Sequence, residues 1–395
     1  MSPLPNPDFS AVHAALARQV DQELLAGVSS AVLRGRDLLD QHCVGWADKE
    51  QRIPLRPDHI FRAFSNTKLV TTCATLLLLE AGRFELDEPI DGFIPQLAHR
   101  QVLRPGATRL DDTEPARSPI TIRQLLSHSS GLSYGLLDPG TMVFKAYIER
   151  KMLDPTATLA EMMDRLADLP LLFHPGTGWE YSVATDVLSR LVEVASGQPF
   201  DVFIRQRIFE PLGMHDTGFV VPESERSRLT AYYAGADIMD PLKPGLKRVD
   251  HLPWPQAYLR PVPRMSGGGG LVTTLPDMLA LLRSLLPGGP TLLRPHTLEL
   301  MMSNQLAPGL RIGFPGMPRH EGKGFGLGGS VTLAAGPGEP AGCVGEFQWG
   351  GMAGTHWWIS PRANLAGILM TQRFMGFWHP FSLEFKRAAY EAAGA

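Results

Sequence analysis

Cysteine is scarce in this chain. Its three thiols, Cys43, Cys73 and Cys343, are odd in number and far apart in 395 residues. No C-x-x-C pair stands among them, so zinc-ribbon and dithiol redox chemistry find no framework, and buried free thiols are the expected state. A run of about 18 apolar residues, enough to cross a bilayer, is also missing. The N-terminal stretch MSPLPNPDFSAVHAALARQV lacks the basic segment followed by an apolar one that marks a secretory leader. Together these absences predict a cytoplasmic protein with no membrane partner.

Positive charge is not in excess either: 37 Lys and Arg face 40 Asp and Glu, for a net charge of −3. Without a basic block, nothing recruits nucleic acid, and a small or neutral partner fits better. The 12 histidines, among them His128, His174, His215, His251 and His356, form no H-x-x-x-H or H-E-x-x-H pair. No metal site is therefore expected. The run Ser266 to Gly270, SGGGG, continues into LVTTLPDM without the G-K-[ST] of a phosphate loop, so it reads as a place where two segments pack closely. No cofactor is called for.

What is present is a large apolar fraction, 44% of residues, with 40 glycines. Such a chain can bury a sizeable core as two or three domains, or as one composite domain. From Pro7 to about Leu25 the apolar spacing is helical, and SSAVLRG and LLDQHCVGW then read as two strands. FRAFSNTKLVTTCATLLLLEAG gives a short extended piece and a helix closing at Gly82. From about Asp87 to Gly218 helical segments alternate with Pro/Gly/Asp-rich loops. After Gly269 come the helical TLPDMLALLRSLL and RPHTLELMM, three strand-like stretches, GEFQWGG, THWWIS and NLAGILMTQ, and a final helix near FSLEFKRAAYEAA. Strands at both chain ends predict an α/β (α+β) fold in which one antiparallel sheet, built from both termini, is flanked by helices. The expected division is an α/β domain of residues 1–87 and 266–395, with an inserted, mainly helical domain of residues 88–265.

Two serines compete for a catalytic role. Ser133 sits in G-x-S-x-G, Gly131 to Gly135, but a nucleophile elbow needs a strand before the serine and a helix after it. Here the helical TIRQLLSH precedes and the turn LLDPG follows. Ser65 sits in S-x-x-K with Lys68, at the first turn of an apolar helix, where free N–H groups favour developing negative charge. At i, i+3 spacing Lys68 shares its face. A lysine serves as base only if burial or a cationic neighbour lowers its proton affinity, and Lys68 is flanked by Leu69, Val70 and the apolar helix body. The plain alternative is an N-cap serine with a snorkelling surface lysine.

Two further stretches add to the pattern. HPGTGWEYS places Tyr181 at a helix start, and FQWGGMAGTHWW places Trp349, Gly350 and Gly351 in a strand-like segment. S-x-x-K near residue 65, a tyrosine after PGTGW and a C-terminal W-G-G together resemble the serine β-lactamase and penicillin-recognising superfamily. Within it the chain looks most like the family VIII carboxylesterases, and it is similar to the lovastatin-type acyltransferases. LLSHSSGLSY, PLGMHDTGF and FGLGG carry the same resemblance, which runs from about Val12 to the C-terminus.

That resemblance implies a role for each matching residue. Ser65 would be the acylated nucleophile and Lys68 with Tyr181 its general-base pair, while the backbone N–H groups of Ser65 and Met352 would form the oxyanion hole. Trp349, Gly350, Gly351, Tyr134 and His356 would shape the substrate pocket. The β-lactamase branch carries Y-x-N and K-T-G, whereas this chain has Val183 and Trp349-Gly350-Gly351 at those places. Loss of both polar anchors favours a neutral small-molecule ester over an anionic drug. Acyl transfer, β-lactam or D-amino-peptide hydrolysis and a non-catalytic binding module remain as alternatives. The natural ester, its chain length, the stereochemical preference and the oligomeric state are left open.

Overall fold

The strand Gly27–Arg34, GVSSAVLR, is buried along almost its whole length, so it must be covered on both faces and paired on both edges. In the computed structural model, which describes residues 7–137, 139–314 and 321–395, it has all four neighbours. It pairs antiparallel with Leu365–Thr371 on one edge and with Asp37–Asp48 on the other. The full sheet has eight strands, in the spatial order 323–325, 330–332, 347–350, 356–360, 365–371, 27–34, 37–48 and 53–54. The antiparallel sheet joins the two ends of the chain, as expected.

One face is covered by the terminal helices Ser10–Asp21 and Phe381–Ala393, where Val12 and Leu16 meet Val28, Val32, Trp358, Phe385 and Tyr390. The other face belongs to a larger core shared with the helices Thr67–Glu80, Ala184–Ser196 and Leu275–Arg283. Capping explains several helix starts: the Thr121 hydroxyl accepts from Gln124 N–H and the Thr274 hydroxyl from Asp277 N–H. Gly197, at φ 72°, closes Ala184–Ser196 in the left-handed conformation that glycine adopts without strain.

Some local expectations need correction. The strands Lys323–Phe325 and Ser330–Thr332 were hidden because FGLGG breaks the alternation that marks a strand. The central helical region includes Met142–Glu149, which starts where the Thr141 hydroxyl accepts from Phe144 N–H. Small sheets also enter the central region: Tyr233–Gly235 pairs with Leu246–Arg248 and with Arg373–Phe374. Cys73 and Cys343 are buried free thiols, but Cys43 is only half-buried. Among the described residues no helix is long and apolar enough to cross a membrane. The first six residues, part of the stretch inspected for a leader, lie outside the described residues.

Candidate active site

The backbone places Ser65 before any side chain acts on it. Phe61–Arg62 pairs with Val272–Thr273, and the chain then turns through a short 3-10 segment, Phe64–Asn66, into the helix Thr67–Glu80. Phe64 stands at φ 44°, left-handed for a non-glycine residue, a conformation costing about 1–3 kcal/mol that persists only when its surroundings fix it. Here they do. The Phe64 ring packs against Tyr232 and Tyr258, with centroids 5.5 and 6.2 Å away, and Ala63 N–H donates to Leu271 O at 2.9 Å.

Lys68 is 1% exposed, so it is no snorkelling surface lysine. Its Nζ lies 3.3 Å from Ser65 Oγ and donates to Gly268 O at 2.6 Å. The ammonium also sits 4.7 Å from the ring centre of Tyr181 and 5.4 Å from that of Tyr134. The lowered proton affinity expected of a base lysine is not what the surroundings give: burial works against the charge, but the oxygens of Tyr134 and Tyr181, with Asp186 behind them, outweigh it and hold the group above the usual lysine range. The glycine run makes this approach possible. A Cβ at Gly268 would fall 2.5 Å from Asp186 Oδ2, and one at Gly267 would fall 1.9 Å from Ser189 Oγ.

Tyr181 completes the cluster from the other side, with its Oη 2.7 Å from Ser65 Oγ. It lies three residues before the helix Ala184–Ser196 rather than on it. Its position is set by the SHSSGLSY segment: Glu180 N–H donates to His128 O, and Val183 N–H to Ser133 O, both at 3.0 Å. His128 Nδ1 lies 3.0 Å from Ser182 Oγ, and burial, then the Lys68 charge, drives this imidazole well below its ordinary value. It is a neutral support. The indole N–H of Trp349 points to Tyr181 Oη at 3.4 Å, and the Tyr134 ring stacks on Tyr181 at 5.4 Å.

The strand Phe347–Gly350 ends directly over the Ser65 turn. A Cβ on Gly351 would lie 2.7 Å from Ala63 O and 3.4 Å from Phe64 Cβ, so only glycine allows the two backbones to meet. Ser65 and Met352 both line one cavity of about 270 Å³, and Trp349, Gly350, Gly351 and His356 lie on its wall. Phe314, Ile312 and Leu137 make its apolar side. Tyr134 departs from expectation: it is not on that wall but buried behind Tyr181, where it packs on the base pair instead of the substrate space.

Ser133 is also misplaced for chemistry. It is buried off the cavity wall, with its N–H donating to Tyr147 Oη at 3.0 Å. Sequence reasoning missed Asp186 and the His128–Ser182 support altogether. Asp186 is fully buried and accepts from Ser266 Oγ at 2.6 Å and Arg264 Nη2 at 3.3 Å. Its signal was weak, a single acidic residue in the first turn of an apolar helix.

A buried cation, a phenol oxygen and a serine hydroxyl thus converge beside two backbone segments at the mouth of an apolar cavity. Residues 12–384 match the family model described as Beta-lactamase. The chain belongs to that family. It is 31% identical to Esterase EstB of Burkholderia gladioli, over 97% of this chain and 96% of that protein. Monacolin J acid methylbutanoyltransferase of Aspergillus terreus is 31% identical over 81% of this chain and 78% of its own length. Among solved structures, EstCE1, described as a hydrolase with promiscuous acyltransferase activity, superposes with a TM-score of 0.78 at 26% identity, covering 96% of this chain and 97% of that one.

Proposed function

We propose that this protein is a serine carboxylesterase that hydrolyses short to medium acyl esters through an acyl-enzyme on Ser65. One observation carries the reading: Ser65 Oγ lies 2.7 Å from Tyr181 Oη and 3.3 Å from Lys68 Nζ, on the wall of an apolar cavity. With Lys68 held as an ammonium, the accepting atom of the pair is Tyr181 Oη. The ammonium and the Trp349 indole N–H offset the charge on that oxygen.

In the first half-reaction, which starts from the form in which Tyr181 has lost its proton and stands as a phenolate beside the Lys68 ammonium, Ser65 Oγ bonds to the ester carbonyl carbon, the carbonyl π pair moves onto its oxygen, and the seryl proton passes to Tyr181 Oη. The carbonyl oxygen, now negative, is held by the Ser65 and Met352 N–H groups. As the tetrahedral carbon collapses, the carbon–oxygen bond to the alcohol breaks, and the same proton goes to the departing oxygen. In the second half-reaction water loses a proton to the pair, its oxygen bonds to the acyl carbon, and the proton returns to Ser65 Oγ. The acid leaves and the resting state is restored.

An alcohol in place of that water makes the same site an acyltransferase, a reading favoured by the methylbutanoyltransferase relative and by the description of EstCE1. The β-lactamase reading is weaker, because Val183 and Trp349 stand where an asparagine and a lysine would grip the drug. The partner on this reading is a small-molecule ester. Three unpaired thiols suit a reducing, cytoplasmic compartment.

The test has two parts. A fluorophosphonate should label Ser65, located by peptide mass spectrometry, and a label on Ser133 would overturn the assignment. p-Nitrophenyl butyrate should be turned over with a higher kcat/KM than a chromogenic cephalosporin. The reverse order would replace the esterase by a β-lactamase.

A further inference from the structure

The cavity does not end at the apolar side. In the antiparallel ladders Lys323 lies opposite Thr332, Ser330 opposite Gln348, and Gly350 opposite His356. Opposite residues, and residues two apart on one strand, share a face. Lys323, Ser330, Gln348 and His356 therefore project from one face of the sheet, and Trp349 and Trp357 from the other. All four of the first group line the same cavity as Ser65 and Tyr181. The passage between the two faces runs past Gly350 and Gly351, which have no side chains to block it. A Cβ on Gly350 would fall 3.1 Å from His356 Nδ1.

This far end is built to donate hydrogen bonds. Lys323 Nζ gives two of its three N–H groups to Thr332 Oγ1 and Glu339 Oε1, each at 2.7 Å, leaving the third. Ser330 is 5% exposed, and its hydroxyl has no protein partner among the described residues. Gln348 Oε1 accepts from the His356 ring at 3.1 Å, which leaves the amide N–H groups of Gln348 to donate elsewhere. Burial, then the charges of Lys386 and Lys323, takes His356 down to about 3, so it is a neutral imidazole here. The carboxylates that balance the lysines, Glu339 and Glu346, are not on the cavity wall. What the cavity meets is the ammonium.

We infer that the far end of the cavity binds a carboxylate on a distal arm of the ester, paired with Lys323 and hydrogen-bonded by Ser330 and Gln348. This deepens the esterase reading and rests on it: the ester group is cleaved at Ser65 while the arm reaches past Gly350. The W-G-G motif, which holds no lysine, by itself favours a wholly neutral substrate. Lys323 supplies a cation from another strand of the same sheet.

The carboxylate can be carried by either half of the ester, and three substrates separate the cases. Mono-p-nitrophenyl glutarate bears it on the acyl arm, 3-(butyryloxy)benzoate bears it on the alcohol arm, and p-nitrophenyl butyrate has none. The native enzyme should turn over one charged ester with a kcat/KM about tenfold or more above that of the neutral one, on the strength of a charge-assisted hydrogen bond. In Lys323→Met that charged-to-neutral ratio should fall about tenfold, and Lys323→Arg should restore most of it. A native enzyme that prefers the neutral ester to both charged ones overturns the inference without recourse to any variant. So does an unchanged ratio in a folded Lys323→Met. Failure to cleave any of the three, with no fluorophosphonate label on Ser65, would instead overturn the esterase reading itself.

Discussion

Two lysines of this protein are almost fully buried, Lys68 at 1% exposure and Lys386 at 3%, and their surroundings differ in one respect. Lys386 Nζ reaches Glu346 Oε1 at 2.9 Å and Glu339 Oε1 at 3.0 Å, so its charge is matched by carboxylates in direct contact. Lys68 has no carboxylate in contact: it meets a carbonyl oxygen, a serine hydroxyl and two aromatic faces, with Asp186 one layer behind. Burial opposes both charges, and in both the neighbouring oxygens outweigh it. The lesson concerns availability. A cation matched by contacting carboxylates fastens the C-terminal helix to the sheet, whereas one held by dipoles and ring faces can still respond to charge that develops on Ser65 and Tyr181.

The sharpest way to break that contrast is at the site itself. Ser65→Ala should lower kcat/KM for p-nitrophenyl butyrate by at least about 10⁴-fold, since removing the nucleophile of a serine hydrolase leaves only binding and the oxyanion hole. Retention of a tenth of the activity would move the chemistry elsewhere. Lys68→Ala and Tyr181→Phe should each cost about a hundredfold or more in kcat on general-base grounds. Near-normal turnover in either would remove it from the proton path.

Lys386→Met should do the opposite, sparing Ser65 labelling by the fluorophosphonate while destabilising the fold by about 3 kcal/mol, as when one member of a buried ion-pair cluster is lost. Urea unfolding reads the second effect. A variant as stable as the parent but unable to react with the probe would show that the two lysines do the same work.

The ion cluster also has a pH signature. The ammonium groups of Lys386 and Lys323 overcome burial and hold Glu339 down at about 2, against 4.5 for an ordinary glutamate. A carboxyl depressed in the folded state contributes stability that is complete above pH 4.5 and is lost as the pH falls toward 2. Unfolding free energy measured across that window should therefore fall less steeply in Glu339→Gln than in the parent, with the two slopes converging above pH 4.5. Parallel curves throughout the window would mean that the lysines do not depress Glu339.

The smallest effect is expected at Ser133. Its neighbour Tyr147 is pushed up to about 12, mainly by burial, and is therefore a neutral phenol with no capacity to accept a proton at neutral pH. Ser133→Ala should change kcat by less than about threefold, under roughly 0.7 kcal/mol of barrier. A loss comparable to that of Ser65→Ala would revive the G-x-S-x-G pattern as chemistry.

Much of the fold was legible from local signals. The buried strand Leu365–Thr371 is an apolar run up to its last residue, Gly27–Arg34 is apolar on either side of Ser29 and Ser30, and Leu275–Arg283 announces itself by a threonine cap and helical spacing. The strands Lys323–Phe325 and Ser330–Thr332 were not legible, because three residues between glycines carry too little alternation. At the site, Ser65, Lys68 and Tyr181 could be singled out through motif and resemblance, and the structure brings their reacting atoms together. The glycine run around Gly268 could be read as a close-packing segment, but Asp186 and the cavity-facing Lys323 could not be singled out, since each acts across a large sequence separation.

By itself the sequence determined which segments become helices and strands at the two chain ends, and that Ser65 and Lys68 lie on one side of a helix start, because those features follow from periodicity and spacing within a few residues. Only the tertiary structure decided that Lys68 is buried among Gly268 O and two tyrosine rings, that Tyr134 supports the base pair from behind, and that Lys323 opens onto the same cavity as Ser65. Charge state and accessibility are set by whatever packs against a group, and here those neighbours come from 47 to more than 250 residues away along the chain.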